Sequence, residues 1–270
     1  MKHAFAGKVA VVTGGGGAIC GEIAKNLAQQ GARVALCDIS LANAQRAAEG
    51  IVAAQGDALA VECDVTSRDS VAAAIEAVVE NFGTVDILVN GAGGSRKDCT
   101  TSPELEFFDI APDALTNTVA LNYMSAVIPS QIIGRLFAQK KSGVILNIAS
   151  IAGISPLTRA LGYSNGKAAM ISFTQWLAVH MAQNYASTIR VNAIAPGFML
   201  TEQNRFLLVD EKTGEMTERA EKILANVPMA RYGNPQEIVG AALWLLSDSA
   251  SFVTGIVVPV DGGYTAFSGV

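Results

Sequence analysis

Tyr163 and Lys167 stand four residues apart in the run Tyr-Ser-Asn-Gly-Lys. On a helix that spacing puts both side chains on one face, about 6 Å apart along the axis. An ammonium so placed stabilises a tyrosinate and lowers the tyrosine pKa from its usual ~10. Tyr163 is thereby a candidate general acid and base for interconverting a hydroxyl and a carbonyl. Ser150 lies just past the apolar run Val144–Ile148, where its hydroxyl can hydrogen-bond the reacting oxygen. Asn122, inside a long uncharged stretch, is an amide that needs partners when buried. It suits either a water held beside Lys167 or a helix-bending core position. The Tyr-x-x-x-Lys spacing alone is common by chance, so the elements around it must support the reading.

Those elements alternate. Strands are expected at Val9–Thr13, Arg33–Asp38, Leu59–Asp64, Ile87–Asn90, Gly143–Ile148, Arg190–Ala195 and Ile256–Val260. Helices are expected at Ile19–Gln30, Ala42–Ala54, Asp69–Asn81, Pro112–Gln139, Gly162–Asn184 and Pro235–Leu246. Strand and helix in turn give a doubly wound α/β fold, a parallel sheet of about seven strands flanked by helices. Such a sheet takes its ligand at the carboxyl ends of the strands, where strand order reverses. Low-complexity tracts and Pro/Ser-rich linkers are missing from the sequence, so residues 1–270 read as one catalytic domain. Residues 198–229 fit the repeat least and read as a substrate lid within it.

The carboxyl ends of the first four expected strands carry residues suited to a dinucleotide. Gly14, Gly15, Gly16 and Gly17 follow the first strand, and Ala18 and Ile19 open the next helix. Glycines there permit positive φ and let the backbone approach a pyrophosphate, which the helix N-terminus then receives. An ordinary surface turn would use the same residues. Asp38 closes the second strand, where a carboxylate binds ribose hydroxyls and repels a 2′-phosphate, favouring NAD(H) over NADP(H). Asp64 and Val65 close the third strand, placed to meet an adenine. Asn90, Gly91, Ala92 and Gly93 close the fourth and leave room for a flat ring.

Half of the 270 residues are hydrophobic and 16% are charged, which excludes a mostly disordered chain. The stretches Ala114–Gly134 and Ser142–Thr158 are uncharged, but interior Asn, Gln, Ser, Pro and Gly residues make them buried core rather than membrane spans. The four cysteines form no Cys-x-x-Cys pair and accompany no histidine cluster, so neither a disulfide framework nor a metal site is expected. The chain opens with no signal-peptide pattern and is expected in the cytoplasm. A net charge of −5 argues against nucleic acid or an anionic membrane as the main partner.

Thr13-Gly14, Asn90-Gly-Ala-Gly93, Asn122, Ser150, Tyr163-x-x-x-Lys167 and Pro196-Gly197 with Thr201 resemble the short-chain dehydrogenase/reductase family in order and spacing. The resemblance runs nearly end to end. It implies a Rossmann-type fold, nicotinamide dependence and an Asn122–Ser150–Tyr163–Lys167 tetrad. It implies also that Lys167 holds the nicotinamide ribose, that Pro196, Gly197 and Thr201 lie beside the cofactor, and that the chain forms a homo-oligomer, commonly a tetramer. The family's loop is Thr-Gly-x-x-x-Gly-x-Gly, and here Ala18 and Cys20 replace the last two glycines. Weaker dinucleotide binding is one expectation from that departure; Cys20 serves as small-residue packing or as a redox-sensitive thiol.

For the substrate, residue chemistry says less. Arg96, Lys97, Arg159, Gln203, Asn204 and Arg205 lie on the loops that should wall the pocket. Arg159, Gln203 and Arg205 are the candidates for contacting a polar, carboxylate-bearing substrate, although solvated loop charge explains such residues equally well. The segments Ile194–Arg205, Thr174–His180 and Pro259–Val270 resemble the D-mannonate oxidoreductase (fructuronate reductase) subgroup. That implies interconversion of D-mannonate and D-fructuronate, with a gluconate 5-dehydrogenase-like polyol or sugar-acid enzyme, or a non-catalytic dinucleotide sensor, as alternatives.

Overall fold

The strands are apolar on both sides because both sides are covered. In β1 (Val9–Thr13) all five residues are buried. Val9 and Val11 belong to one cluster of core residues, Ala10 and Val12 to another. Successive side chains on a strand point to opposite faces, so a sheet roofed by helices on both faces needs such unbroken apolar runs. The computed structural model describes residues 4–201, 208–209 and 215–269. Among these, β1 is followed by β2 (Arg33–Asp38), β3 (Asp57–Glu62), β4 (Ile87–Asn90), β5 (Gly143–Ile148), β6 (Ile189–Pro196) and β7 (Val257–Val260). They form one parallel sheet in the order β3-β2-β1-β4-β5-β6-β7.

Helices α1 (Ala18–Gln29), α2 (Leu41–Ala53), α3 (Arg68–Phe82), α4 (Pro112–Lys140) and α5 (Leu161–Asn184) make the crossovers. The short α6 (Glu218–Leu224) and α7 (Gln236–Leu246) lie between β6 and β7. Helices α1 and α7 supply Ile23, Leu27, Ile238 and Leu245 to the core on one face. On the other, α3, α4 and α5 supply Val71, Val78, Ile133, Phe137 and Leu177. The uncharged stretch Ala114–Gly134 lies within α4, and no helix among the described residues is long and apolar enough to cross a membrane.

The other expected elements shift by no more than a residue at either end, but one moves further. Strand β3 spans Asp57–Glu62 rather than Leu59–Asp64, so Asp64 and Val65 lie past its end. The strand sits at the sheet edge with half-exposed positions, and pairing with β2 from Arg33↔Asp57 to Asp38↔Glu62 sets its limits rather than apolar pattern.

Polar residues sewn into the core fix where the central strands end. Asn90 donates to Asn147 Oδ1 (2.8 Å) and Ser130 Oγ (3.1 Å), and Asn147 donates to Thr174 Oγ1 at 2.8 Å. All four residues are buried. The chain of bonds joins β4, β5, α4 and α5 just below the cleft. Truncating Asn147 to Ala leaves Asn90 and Thr174 short of partners. The variant is expected to lose about 2–4 kcal/mol of stability in urea unfolding.

Candidate active site

The strand order reverses between β1 and β4, and there a cleft of about 670 Å³ opens at the carboxyl edge of the sheet. Its floor begins at Thr13, whose buried hydroxyl accepts from Gly91 N–H at 3.1 Å and so ties the end of β1 to the loop after β4. The glycine run turns over this floor. Only Gly14 within it has positive φ, 64°. Gly15 and Gly16 are needed for closeness: a β-carbon would lie 2.9 Å from Leu36 Cβ at the first and 2.6 Å from Asn43 Cβ at the second. The run therefore lets the loop lie against β2 and α2. Gly15 N–H bonds Cys37 O (3.2 Å) and Gly16 N–H bonds an Asp38 carboxylate oxygen (3.1 Å). Asp38 also accepts from Ser40 N–H at 3.0 Å, while Ser40 itself caps α2.

Helix α1 begins at Ala18 behind Gly17, with no side chain capping its first N–H groups. Unfilled donors at a helix start facing a cleft fit a phosphate. Gly14, Gly17, Ala18, Ile19, Asp38, Asp64, Val65, Gly91, Ala92, Pro196, Gly197 and Thr201 all line this cleft, as the sequence reading expects. Two expected residues do not. Gly16 points its spare volume at α2, and the Asn90 side chain turns into the sheet toward Asn147. Exposed Ile39, beside Asp38, joins the wall and was passed over; an apolar residue left in water after a strand end was its only signal.

The departures from the glycine pattern are accommodated differently. Ala18 is exposed at the helix start, so its methyl displaces nothing. Cys20 is buried, and a β-carbon on Gly91 would fall 1.9 Å from its sulfur. The bulk added at position 20 occupies room that glycine leaves at position 91. Burial pushes the Cys20 thiol up to about 12, with Lys167 only partly opposing it, so the sulfur is a packing atom rather than a reactive thiolate.

Ser150, Tyr163 and Lys167 meet on the facing wall. Ser150 leaves β5 in extended conformation, accepts from Ala152 N–H at 3.1 Å and stands beside the Tyr163 hydroxyl. Lys167, one helical turn beyond Tyr163, is 4% exposed and donates to Ile148 O at 2.7 Å. Its nitrogen lies 5.8 Å from the Tyr163 ring centre. Burial lowers the lysine pKa to about 8. The sequence expectation that Lys167 lowers the Tyr163 pKa is not met: burial raises it, and the neighbouring Ser150 hydroxyl pulls the other way. The lysine nitrogen is committed to the strand carbonyl, and the phenol has lost water.

Asn122 stands behind this group, outside the cleft wall. Its amide donates to Gly94 O (2.8 Å) and Thr118 O (2.9 Å), and its oxygen accepts from Gly94 N–H at 3.0 Å. It clamps the loop after β4. A β-carbon built on Gly93 would sit 2.7 Å from Asn122 Oδ1 and 3.5 Å from Lys167 Nζ, so the two side chains close on one small space.

Of the expected substrate residues, Arg159 lines a second cavity beside the cleft. Gln203 and Arg205, with Asn204, lie outside the described residues. Arg96 is turned to Asp98, at 2.8 Å. The sequence reading missed α6, a seven-residue helix capped by Thr217, whose Arg219 and Lys222 wall that same cavity.

A doubly wound parallel sheet, a dinucleotide-sized cleft at its reversal point, and a serine–tyrosine–lysine group on the cleft wall define a Rossmann-type oxidoreductase. The comparisons agree. A family model described as enoyl-(acyl carrier protein) reductase matches residues 16–265. The uncharacterized oxidoreductase UxuB of Bacillus subtilis is 42% identical over all of this chain and 99% of its own. A candidate D-mannonate oxidoreductase from Haemophilus influenza, solved with NAD bound, is 39% identical with a TM-score of 0.93 over 99% of this chain and 98% of that one. A 5-keto-D-gluconate 5-reductase of Escherichia coli K12 is 32% identical over 96% of both chains. The chain belongs to the short-chain dehydrogenase/reductase family, NAD(P)-dependent oxidoreductases acting on CH–OH groups.

The Cys20–Gly91 contact can be tested without touching the reacting groups. Gly91→Ala is expected to cost about 1–3 kcal/mol in chemical denaturation through overpacking. Adding Cys20→Gly should recover most of that loss, giving a coupling energy on the order of 1 kcal/mol or more.

Proposed function

We propose that this enzyme interconverts a secondary alcohol and a ketone of a sugar acid, most simply D-mannonate and D-fructuronate, using NAD(H). The observation that carries the chemistry is the meeting of the Ser150 and Tyr163 hydroxyls beside Lys167 in the dinucleotide cleft. The sugar-acid part rests on the cation-walled cavity adjoining it and on the relatives that share the fold.

NADH held in the cleft would supply the hydride that reduces the C5 carbonyl of the keto acid. Ser150 holds the C5 oxygen by a hydrogen bond, with its own orientation fixed by Ala152 N–H. Tyr163, kept protonated at neutral pH by burial, gives its proton to that oxygen. Lys167 stands next to Tyr163 as the positive charge that receives the resulting tyrosinate, and it would hold the nicotinamide ribose. Asn122 acts through position, fixing Gly94 and the loop above Lys167. Asp38, Asp64 and Val65 would hold the adenosine end, Gly14, Gly17, Ala18 and Ile19 the phosphates. Residues 198–229 would close over the substrate as a lid; within it Phe198, Ala220, Ile223 and Val227 already share a small apolar cluster. The family resemblance points also to a homo-oligomer, a tetramer most simply.

A second reading, a 5-ketogluconate reductase, is favoured only by the Escherichia coli relative. NADH oxidation measured against fructuronate, 5-ketogluconate and neutral ketoses separates the two. Fructuronate should turn over fastest, and Tyr163→Phe should lower kcat by about 10²–10⁴-fold while NADH still binds. Burial raises the Tyr163 pKa but lowers that of Lys167 to about 8, so ketone reduction should fall as pH rises through about 8, where the cation that receives the tyrosinate loses its proton. A Tyr163→Phe variant of undiminished rate would remove the tyrosine from the mechanism.

Asp38 generates a separate expectation. NADPH should serve about tenfold or more worse than NADH in kcat/KM, since a 2′-phosphate would meet the carboxylate. A preference for NADPH would refute this role.

A further inference from the structure

The cavity beside the cleft has a volume of about 530 Å³ and shares Leu157 and Phe198 with it as common wall residues, so the two spaces adjoin. Arg159 enters its wall from the loop between β5 and α5, and Arg219 and Lys222 enter from α6. Glu218 is the one carboxylate on the described wall, and it is already paired with Lys222 at 2.6 Å. Arg159 and Arg219 make no ion pair among the described residues. In a chain of net charge −5, two uncommitted guanidiniums on one cavity are a local excess of positive charge.

Arg159 is also held in a costly shape. Its φ is 72°, in the left-handed region that residues with a β-carbon seldom occupy. Thr101 N–H donates to its carbonyl at 3.1 Å and helps to fix the turn. Such strain gathers at ligand clamps because the surrounding structure holds a side chain where relaxed backbone would not put it. The rest of the wall mixes apolar Pro156, Leu157, Phe198 and Ile223 with neutral polar groups. Asn226, Thr158 and Tyr264 offer amide and hydroxyl groups that can both donate and accept, as a polyhydroxylated chain requires.

We infer that this cavity seats the substrate carboxylate, gripped by Arg159 from the β5–α5 loop and Arg219 from α6, and that α6 thereby sets the preference for sugar acids over neutral sugars. The inference rests on the proposed sugar-acid reading and adds Arg219 as a specificity residue. A guanidinium suits the task because its fork of N–H donors matches both oxygens of a carboxylate. The reacting carbon at Tyr163 and the carboxyl carbon of an open six-carbon acid are four bonds apart, roughly 5 Å when extended. An acid with its ketone at Tyr163 therefore carries its carboxylate away from the reacting groups, and the adjoining chamber is the one whose wall carries uncommitted guanidiniums.

The test uses the full-length enzyme and NADH, with Arg159→Gln, Arg219→Gln and the double variant. Each is assayed on fructuronate, on the neutral ketose fructose and on fructose 6-phosphate, with NADH affinity followed by fluorescence. Each single change should raise KM for the keto acid about tenfold or more, and the double about 10²-fold. NADH affinity and any turnover of fructose should stay put. Arg219→Lys, which keeps charge without the fork, should fall between, and it replaces Arg219→Gln if that variant does not fold. Unchanged KM in variants of an enzyme that does reduce fructuronate overturns the carboxylate seat and leaves the proposed reaction standing. A wild-type enzyme that turns over only fructose, or that prefers fructose 6-phosphate, overturns both.

Discussion

The site is organised around a single bond, from Lys167 Nζ to the carbonyl of Ile148. It joins the second turn of α5 to the last residue of β5, and it buries an ammonium to make the join. A buried cation is tolerable only where an oxygen meets it, so the ends of β5 and α5 must keep their relative placement for the lysine to remain inside. Tyr163 is carried on the same helix and Ser150 leaves the same strand. Both hydroxyls are therefore placed by one constraint. The neighbouring polar chain from Asn90 through Asn147 to Thr174 locks the same strand and helix from below.

The cofactor side works by contact distance more than by unusual backbone. Four consecutive glycines suggest a loop needing positive φ throughout, yet only the first adopts it. The next two are small because β2 and α2 press against them. Position 20 shows the same economy of space. The sulfur takes volume that the pattern reserves for glycine, and the deficit is made up across the cleft at Gly91. A loop that departs from its family's pattern can thus keep the pattern's shape when the missing space is supplied by another strand.

Much of this was legible in the sequence because buried parallel strands write themselves plainly. β1, β2, β4 and β5 run over the residues that their apolar character marks. β3 was less legible since an edge strand with Asp57 and Glu62 at its ends has no continuous apolar run. Helix α6 escaped notice because seven mostly polar residues show little periodicity, and its anchoring by Leu208 and Tyr232 depends on tertiary contacts. The spacing of Tyr163 and Lys167 correctly put them on one face. It could not show that the lysine nitrogen would be spent on a backbone carbonyl, nor that burial would raise the phenol pKa. Both depend on groups far away in sequence. Asn122 was marked as a buried amide, but its grip on Gly94 joins residues brought together only by the fold.

Asp38 carries a consequence for how cofactor use in this protein can change. The carboxylate that faces the proposed ribose also accepts the N–H of Gly16 and of Ser40. A proposed recognition role and an observed scaffolding role thus fall on one side chain. Swapping it for a cation or a small residue to admit a phosphorylated ribose would leave two backbone donors searching for an acceptor in the loop proposed to cradle the phosphates. Redesign of the cofactor preference is therefore not a one-letter edit. A workable route first installs another acceptor near Gly16, and only then releases position 38 to take on a new recognition role.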